Sequence, residues 1–236
     1  FDIPELVRQL TNKPVMVALT HGHIDHAGGM DQFEEVYLHP ADFAMAQAVT
    51  PEERGGYVDT MLSMSDGIYS VTRYDVVVPK TRARLLPLQG GTYLHLGNRD
   101  VMVFDTPGHT PGGLSYLDKK ERLLFSGDAC NMNTLLAAMG QPATERTCVT
   151  ALKQTAEKLE ALHPYYDRHY NGHIGYADAK SCMPMPECLV RDCIALCENL
   201  LAGTIVGEKV ENPFCGECRL ARNNTMQIVY RDDQVK

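Results

Sequence analysis

The sequence predicts an α/β fold, and three observations carry that expectation. The first half alternates short stretches of helical apolar spacing with short apolar runs of strand type. From Arg84 onward, short apolar segments are divided by turn chemistry. A dense cluster, Thr20-His21-Gly22-His23-Ile24-Asp25-His26, directly follows one apolar run, and ligand sites collect beyond the carboxyl ends of strands in α/β sheets. At 236 residues, one domain spanning 1–236 is expected, long enough to bury a core without staples.

Each element follows from local pattern. Ile3, Leu6, Val7 and Leu10 have helical spacing, and Pro14 opens the run Val15-Met16-Val17-Ala18-Leu19, read as a buried strand. Gly28-Gly29 leads into a short helix around Met30 to Phe33, Val36-Tyr37-Leu38 into a brief strand, and Ala41 to Val49 into a helix. Thr50 to Lys80 mixes Pro, Gly and Met with weak periodicity and reads as an insertion bordering a substrate cleft. Leu85–Leu88, Tyr93–Leu96, Val101–Phe104, Leu114–Leu117 and Leu123–Phe125 then read as a meandering sheet, turned at Gly90-Gly91, Gly97-Asn98 and Asp118-Lys119-Lys120. Thr147 to Leu162 is amphipathic, a second helix runs from about Pro186 to Leu201, and Thr225 to Tyr230 reads as a last strand.

The net charge of -8 is spread along the chain, and no basic run is present to hold nucleic acid. No stretch approaches the roughly twenty apolar residues of a membrane span. A small-molecule substrate, without nucleic acid or membrane, is the expected partner; a homodimer is compatible with the sequence. Eight cysteines at this length do not resemble a disulfide scaffold, and a cytoplasmic location fits them better. Cys182, Cys188, Cys193 and Cys197 share one segment, and Cys215-Gly216-Glu217-Cys218 is a lone C-x-x-C. Buried thiols, a disulfide and a second zinc site are the alternatives there.

Three imidazoles and a carboxylate within six residues suit zinc and its first-row neighbours, and Gly22 allows a tight turn between them. A histidine-rich surface loop is the bland alternative, but the cluster interrupts a hydrophobic strand signal. Further ligand candidates stand at strand ends beside glycine: His109 in Thr106-Pro107-Gly108-His109-Thr110, Asp128 in Phe125-Ser126-Gly127-Asp128, and His173 in Asn171-Gly172-His173-Ile174-Gly175. Each alone is weak, because a glycine-flanked histidine is more often a turn residue. The other histidines, His39, His95, His163 and His169, each read as structural or solvent-facing; His169, with Tyr165, Tyr166 and Tyr170 nearby, is the best candidate among them to support the ligands from behind. Asn131 or Asn133 could supply oxyanion donors, although loop chemistry also accounts for Asn there.

Taken in order, His21-x-His23-x-Asp25-His26, Gly108-His109-Thr110, Gly127-Asp128 and Gly172-His173 resemble the metallo-β-lactamase fold superfamily, in its glyoxalase-II-like and lactonase-like branch. The resemblance implies a four-layer αββα sandwich. It also implies one metal on His21, His23 and His109, a second on Asp25, His26 and His173, and Asp128 bridging them. Family members carry strands ahead of the histidine cluster, so the resemblance further implies a domain lacking its first N-terminal strands. The cofactors would be two divalent ions, with zinc the first expectation and iron or manganese also suited to the donors.

Such a centre implies metal-assisted hydrolysis of a small ester, thioester, lactone or amide, with Asp25 or Asp128 orienting the attacking water or moving its proton. The rival readings are a mononuclear iron enzyme like the persulfide dioxygenases, a phosphodiesterase, and a non-catalytic metal-binding protein. The acidic balance argues against the phosphodiesterase.

Overall fold

The computed structural model describes residues 2–64, 70–76, 79, 81–136, 138–173 and 184–236. The chain divides into two compact units, Phe1–Leu88 and Gln89–Lys236.

In the first unit, α1 (Ile3–Leu10) starts where the Asp2 side chain accepts from the Glu5 amide, with proline in the first turn. The run after Pro14 is less of a strand than its apolarity suggests. It meets β1 (Glu35–Leu38) through one parallel bridge, Ala18 to Tyr37, flanked by Leu19 N–H to Tyr37 O and Tyr37 N–H to Val17 O, each 2.9 Å. Val15 and Met16 are exposed and Val17 to Leu19 only half-buried, so the expected buried strand is not formed. The histidine cluster turns into α2 (Ile24–Ala27), and α3 (Phe43–Ala48) covers part of the segment expected to be helical.

The poorly legible stretch contains α4 (Pro51–Ser63), opened by a capping box between Thr50 and Glu53. Two internal glycines and weak amphipathicity hide it from periodicity. Tertiary bonding holds it: Arg54 Nη2 donates to Asp31 Oδ2 at 2.9 Å, and Asp31 Oδ1 accepts the Ala83 amide at 3.0 Å. All three residues are buried, so this ion pair fastens α4 to the segment behind the ligand cluster. The expectation that Leu85–Leu88 opens the meander is corrected. β2 (Arg84–Pro87) pairs parallel with β1, Val36 opposite Leu85. Turn residues mark where a strand ends but not which strand it joins. Val36, Leu38, Ala27, Met30, Ala46 and Ala83 form this unit's core.

The second unit begins with the expected meander: β3 (Tyr93–His95), β4 (Asp100–Asp105), β5 (Leu114–Asp118) and β6 (Leu123–Phe125) pair antiparallel in sequence. A further sheet begins at β7 (Asn133–Leu135), and α5 (Val149–Ala161) follows on the predicted helix. β8 (Arg168–Tyr170) adds parallel to β6 and completes five strands. After α6 (Leu189–Leu201) come β9 (Glu208–Asn212), β10 (Gly216–Arg222) and β11 (Gln227–Tyr230), in the order β7-β11-β10-β9. Only β11 was legible beforehand. β9 is almost wholly polar, with Val210 its one apolar residue, and β10 opens on Gly216 beside Cys215, so neither carries a strong strand pattern of its own.

Both helices and both sheets contribute to one core that includes Leu117, Leu124, Leu152, Leu159, Leu189, Leu196, Ile228 and Tyr230. Cys130, Cys193 and Cys197 lie fully buried in it. Hydrogen bonds to Cys130 and Cys197, with burial, push the Cys193 thiol well above its ordinary range. These are inert packing thiols. Cys215 and Cys218 are likewise free, with Cys215 pushed up to about 12 by burial. No third ligand joins this pair among the described residues. Cys182 lies outside the described residues. No described helix is long and apolar enough to cross a membrane.

Leu196 is fully buried between α6 and its neighbours, so Leu196→Ala should cost about 2–5 kcal/mol of stability. Urea denaturation reads this directly as a lower midpoint at an unchanged slope; an unmoved midpoint would refute the burial.

Candidate metal centre

Four candidate ligands fall in the first unit and three in the second. In the first, the chain leaves its hydrogen bonds to β1 at Leu19 and reaches the cluster extended, then coils. The His23 carbonyl accepts from the His26 and Ala27 amides at 3.0 and 2.7 Å, so His23 caps α2 and His26 lies within its single turn. That compact turn brings the imidazoles together. The ring centroids of His21 and His23 are 4.9 Å apart at 87°, and those of His21 and His26 are 4.0 Å apart. His21 and His23 are buried, His26 is half-buried, and Asp25 is exposed with Oδ2 3.5 Å from His26 Nε2.

Two residues that sequence reasoning did not single out organise this group. The Thr20 hydroxyl lies 3.1 Å from His21 Nδ1 and 3.5 Å from His26 Nδ1. Occupying an Nδ1 in this way orients the ring and leaves its Nε2 for a ligand bond. Asp42, wholly buried, accepts the Gly22 amide at 3.0 Å. A Cβ on Gly22 would stand 2.8 Å from the Asp42 carbonyl oxygen, so glycine is required by close approach. Thr20 could have been noticed as the hydroxyl at the head of the cluster. Asp42, twenty positions from Gly22, carries no local signal.

In the second unit, the His109 loop rests on α5. Gly108 has φ +142°, where a Cβ would come within 3.1 Å of the Leu152 Cα, and Thr155 Oγ1 donates to Pro107 O at 2.6 Å. His109 Nδ1 lies 2.6 Å from the Leu135 carbonyl, an acceptor only, so Nδ1 carries the proton and Nε2 presents a lone pair. That Nε2 stands 3.6 Å from Asp128 Oδ2. Asp128 sits on a buried 3-10 turn, Gly127–Ala129, entered through Gly127 at φ +52°. His173 Nε2 stands 2.9 Å from the same Oδ2, and the His173 amide is held by Asn171 Oδ1 at 2.9 Å. Residues 174 and 175 of that motif lie outside the described residues.

One carboxylate oxygen therefore lies beside two imidazole nitrogens, and the nearest proton on His109 is committed elsewhere. Nitrogen and carboxylate donors so arranged fit a borderline divalent cation, whose charge would relieve the lone pair that His109 Nε2 turns toward Asp128. Behind them, His169 Nε2 lies 2.7 Å from Ser126 Oγ, both buried. Burial pushes the His169 pKa down to about 4. His39 accepts the Ala41 amide at 3.1 Å, and His95 is exposed, 2.7 Å from Asp100. Asn131 Oδ1 accepts the Asn133 amide at 2.9 Å, which engages that carbonyl in its own turn.

The family model described as the metallo-beta-lactamase superfamily matches residues 4–134, more than half of the chain. The chain belongs to this superfamily. Its mixed α/β architecture of several sheets and helices agrees with that assignment. Among curated relatives, the acyl-coenzyme A thioesterase MBLAC2 of Bos taurus is 35% identical over 133 residues, 52% of this chain and 44% of that protein. The probable metallo-hydrolase YqgX of Bacillus subtilis is 29% identical over 131 residues, 53% of this chain and 54% of that protein. The chain thus spans about half the length of the curated relatives it matches. A solved double mutant of the sec-alkyl sulfatase PisA1 shares the fold, with TM-score 0.55 at 14% identity, covering 84% of this chain and 35% of that one.

His169 links the site to pH. Above an unfolded pKa of roughly 6.5 it is neutral in both states; as pH falls toward about 4, the unfolded chain takes up a proton that the folded chain refuses. Stability should decline across that window by roughly 3 kcal/mol from this residue. Urea midpoints of wild type and His169→Gln at pH 7 and pH 4.5 test it: the variant should show the smaller acid loss, and equal losses would contradict the assignment.

Proposed function

We propose that this chain carries a dinuclear metal-dependent hydrolase centre formed by His21, His23, Asp25, His26, His109, Asp128 and His173, acting on a small thioester substrate. The observation that carries the reading is the approach of His109 and His173 to one oxygen of buried Asp128, the arrangement expected of a bridging carboxylate. The close-set imidazoles of His21, His23 and His26 support it from the first unit. Zinc suits this nitrogen-rich set, with iron and manganese also compatible. Thioesters come ahead of esters, lactones and amides because an acyl-coenzyme A thioesterase is among the relatives.

Two divalent ions in such a centre supply a water acidified toward neutrality and a Lewis acid for the substrate oxygen. The chain's own groups do the rest. The Leu135 carbonyl holds His109 in the tautomer that offers Nε2. Asp128, fixed in its buried turn, keeps a single oxygen aimed between the imidazoles. Asp25, exposed beside His26, is the carboxylate placed to orient the attacking water or to carry its proton outward. The free cysteines fit a reducing compartment, and the reading places the protein in the cytoplasm.

The test is metal-quantified protein assayed on thioester, lactone, β-lactam and phosphodiester substrates. The expected result is two zinc equivalents per chain and preferential thioester turnover, both lost in His109→Ala, with turnover falling by more than roughly 100-fold. One iron per chain with oxygen consumption would replace this function with an oxygenase. Full retention of metal and turnover in His109→Ala would remove that residue from the centre.

A further inference from the structure

We infer that the hydrogen bond between His169 and Ser126 is the positioning device of the second ligand group, tying the strand that leads to His173 to the turn that carries Asp128. This rests on reading that group as part of a metal centre. β6 and β8 run parallel and in register, Phe125 opposite Tyr170, and the ladder continues one step further through Ser126 N–H to Tyr170 O at 2.9 Å. Beyond that step the two segments diverge. One becomes the turn of Asp128, and the other passes Asn171 to His173.

At the point of divergence, beyond the stacked rings of Phe125 and Tyr170, the two segments are tied by the side-chain hydrogen bond between His169 Nε2 and Ser126 Oγ at 2.7 Å. The directions of the bonds follow from chemistry. The single proton of Ser126 is directed to carbonyl oxygens of its own turn, Gly127 O at 3.1 Å and Cys130 O at 3.4 Å. Its oxygen therefore accepts, and His169 donates from Nε2. Ser126 then has bonds on both sides: its amide and oxygen hold β8, and its proton closes the turn around Asp128. Both residues are buried, so water does not substitute readily for either partner.

A histidine that only satisfies itself in the core would affect folding and leave the ligand geometry alone. One that positions Asp128 and His173 would change how the site holds a cation. The two ligand nitrogen and oxygen atoms are 2.9 Å apart, so a small rotation of the turn separates them or drives them together. Outer partners of this kind typically control metal affinity by 10–100-fold.

The experiment titrates wild type, His169→Phe, His169→Gln and Ser126→Ala with zinc against a competing chelator, and records the visible d–d absorption of the cobalt(II)-loaded proteins. Loss of the donor in His169→Phe and loss of the acceptor in Ser126→Ala should each weaken zinc binding by roughly 10–100-fold and shift the cobalt band. His169→Gln restores an N–H donor at similar reach and should stay near wild type in both readouts. The double variant should be no weaker than either single one, because one bond is broken once. Unchanged zinc affinity and cobalt spectrum in Ser126→Ala, or losses that add in the double variant, would overturn the inference. Should His169→Phe fail to fold, Ser126→Ala, which removes one oxygen atom, decides the matter. Wild type that takes up neither ion would sink the metal-centre reading itself; wild type that binds while the variants match it would sink only this inference.

Discussion

A carboxylate buried beside two imidazole nitrogens is the constraint to which much of the second unit answers. Asp128 is 6% exposed, and a charge withdrawn from water this far is costly unless its oxygens have partners. The surrounding elements can be understood as what keeps it there. Gly127 supplies a left-handed step into the turn, β7 offers the Leu135 carbonyl that fixes the His109 tautomer, and β8 brings His173 alongside. Each of these loops departs from a paired strand. Donor atoms must be held to fractions of an ångström, and loops alone rarely achieve that.

The helices serve the same end by a different route. α5 and α6 bury Leu152, Leu159, Leu189 and Leu196 in one core with residues of both sheets of this unit. The His109 loop is then pressed onto α5 at Leu152 and bonded to it through Thr155. Packing energy far from any chemistry is thereby converted into rigidity of the His109 loop. Cys130, Cys193 and Cys197 belong to this packing, and burial away from water keeps them unreactive.

The first unit solves a related problem with less material. Four donors in six residues must turn sharply without losing backbone hydrogen bonds, and the His23 carbonyl and the Asp42 carboxylate absorb the amides that the turn exposes. Close packing of Gly22 on Asp42 leaves no room for a side chain there. The Arg54–Asp31 pair anchors the next helix to the same region, which ties the insertion after Thr50 to the ligand segment.

The sequence by itself determined the chemistry: which residues are ligand candidates, their order, the superfamily they match, and the helices and strands whose periodicity is strong, such as α1, α5, α6 and the meander from Tyr93 to Phe125. These are local properties, carried by spacing and turn residues. What only tertiary structure decided is partnership. The pairing of β2 with β1, the existence of α4 and of β9 and β10, the service of Asp42 to Gly22, and the bond from His169 to Ser126 all depend on residues distant in sequence. A hydrogen bond across twenty or forty positions leaves no periodic trace, and a short strand is stabilised by the neighbour it finds rather than by its own composition. Thus the donors were legible as a list, whereas the atoms that aim them could be seen only once the chain was folded.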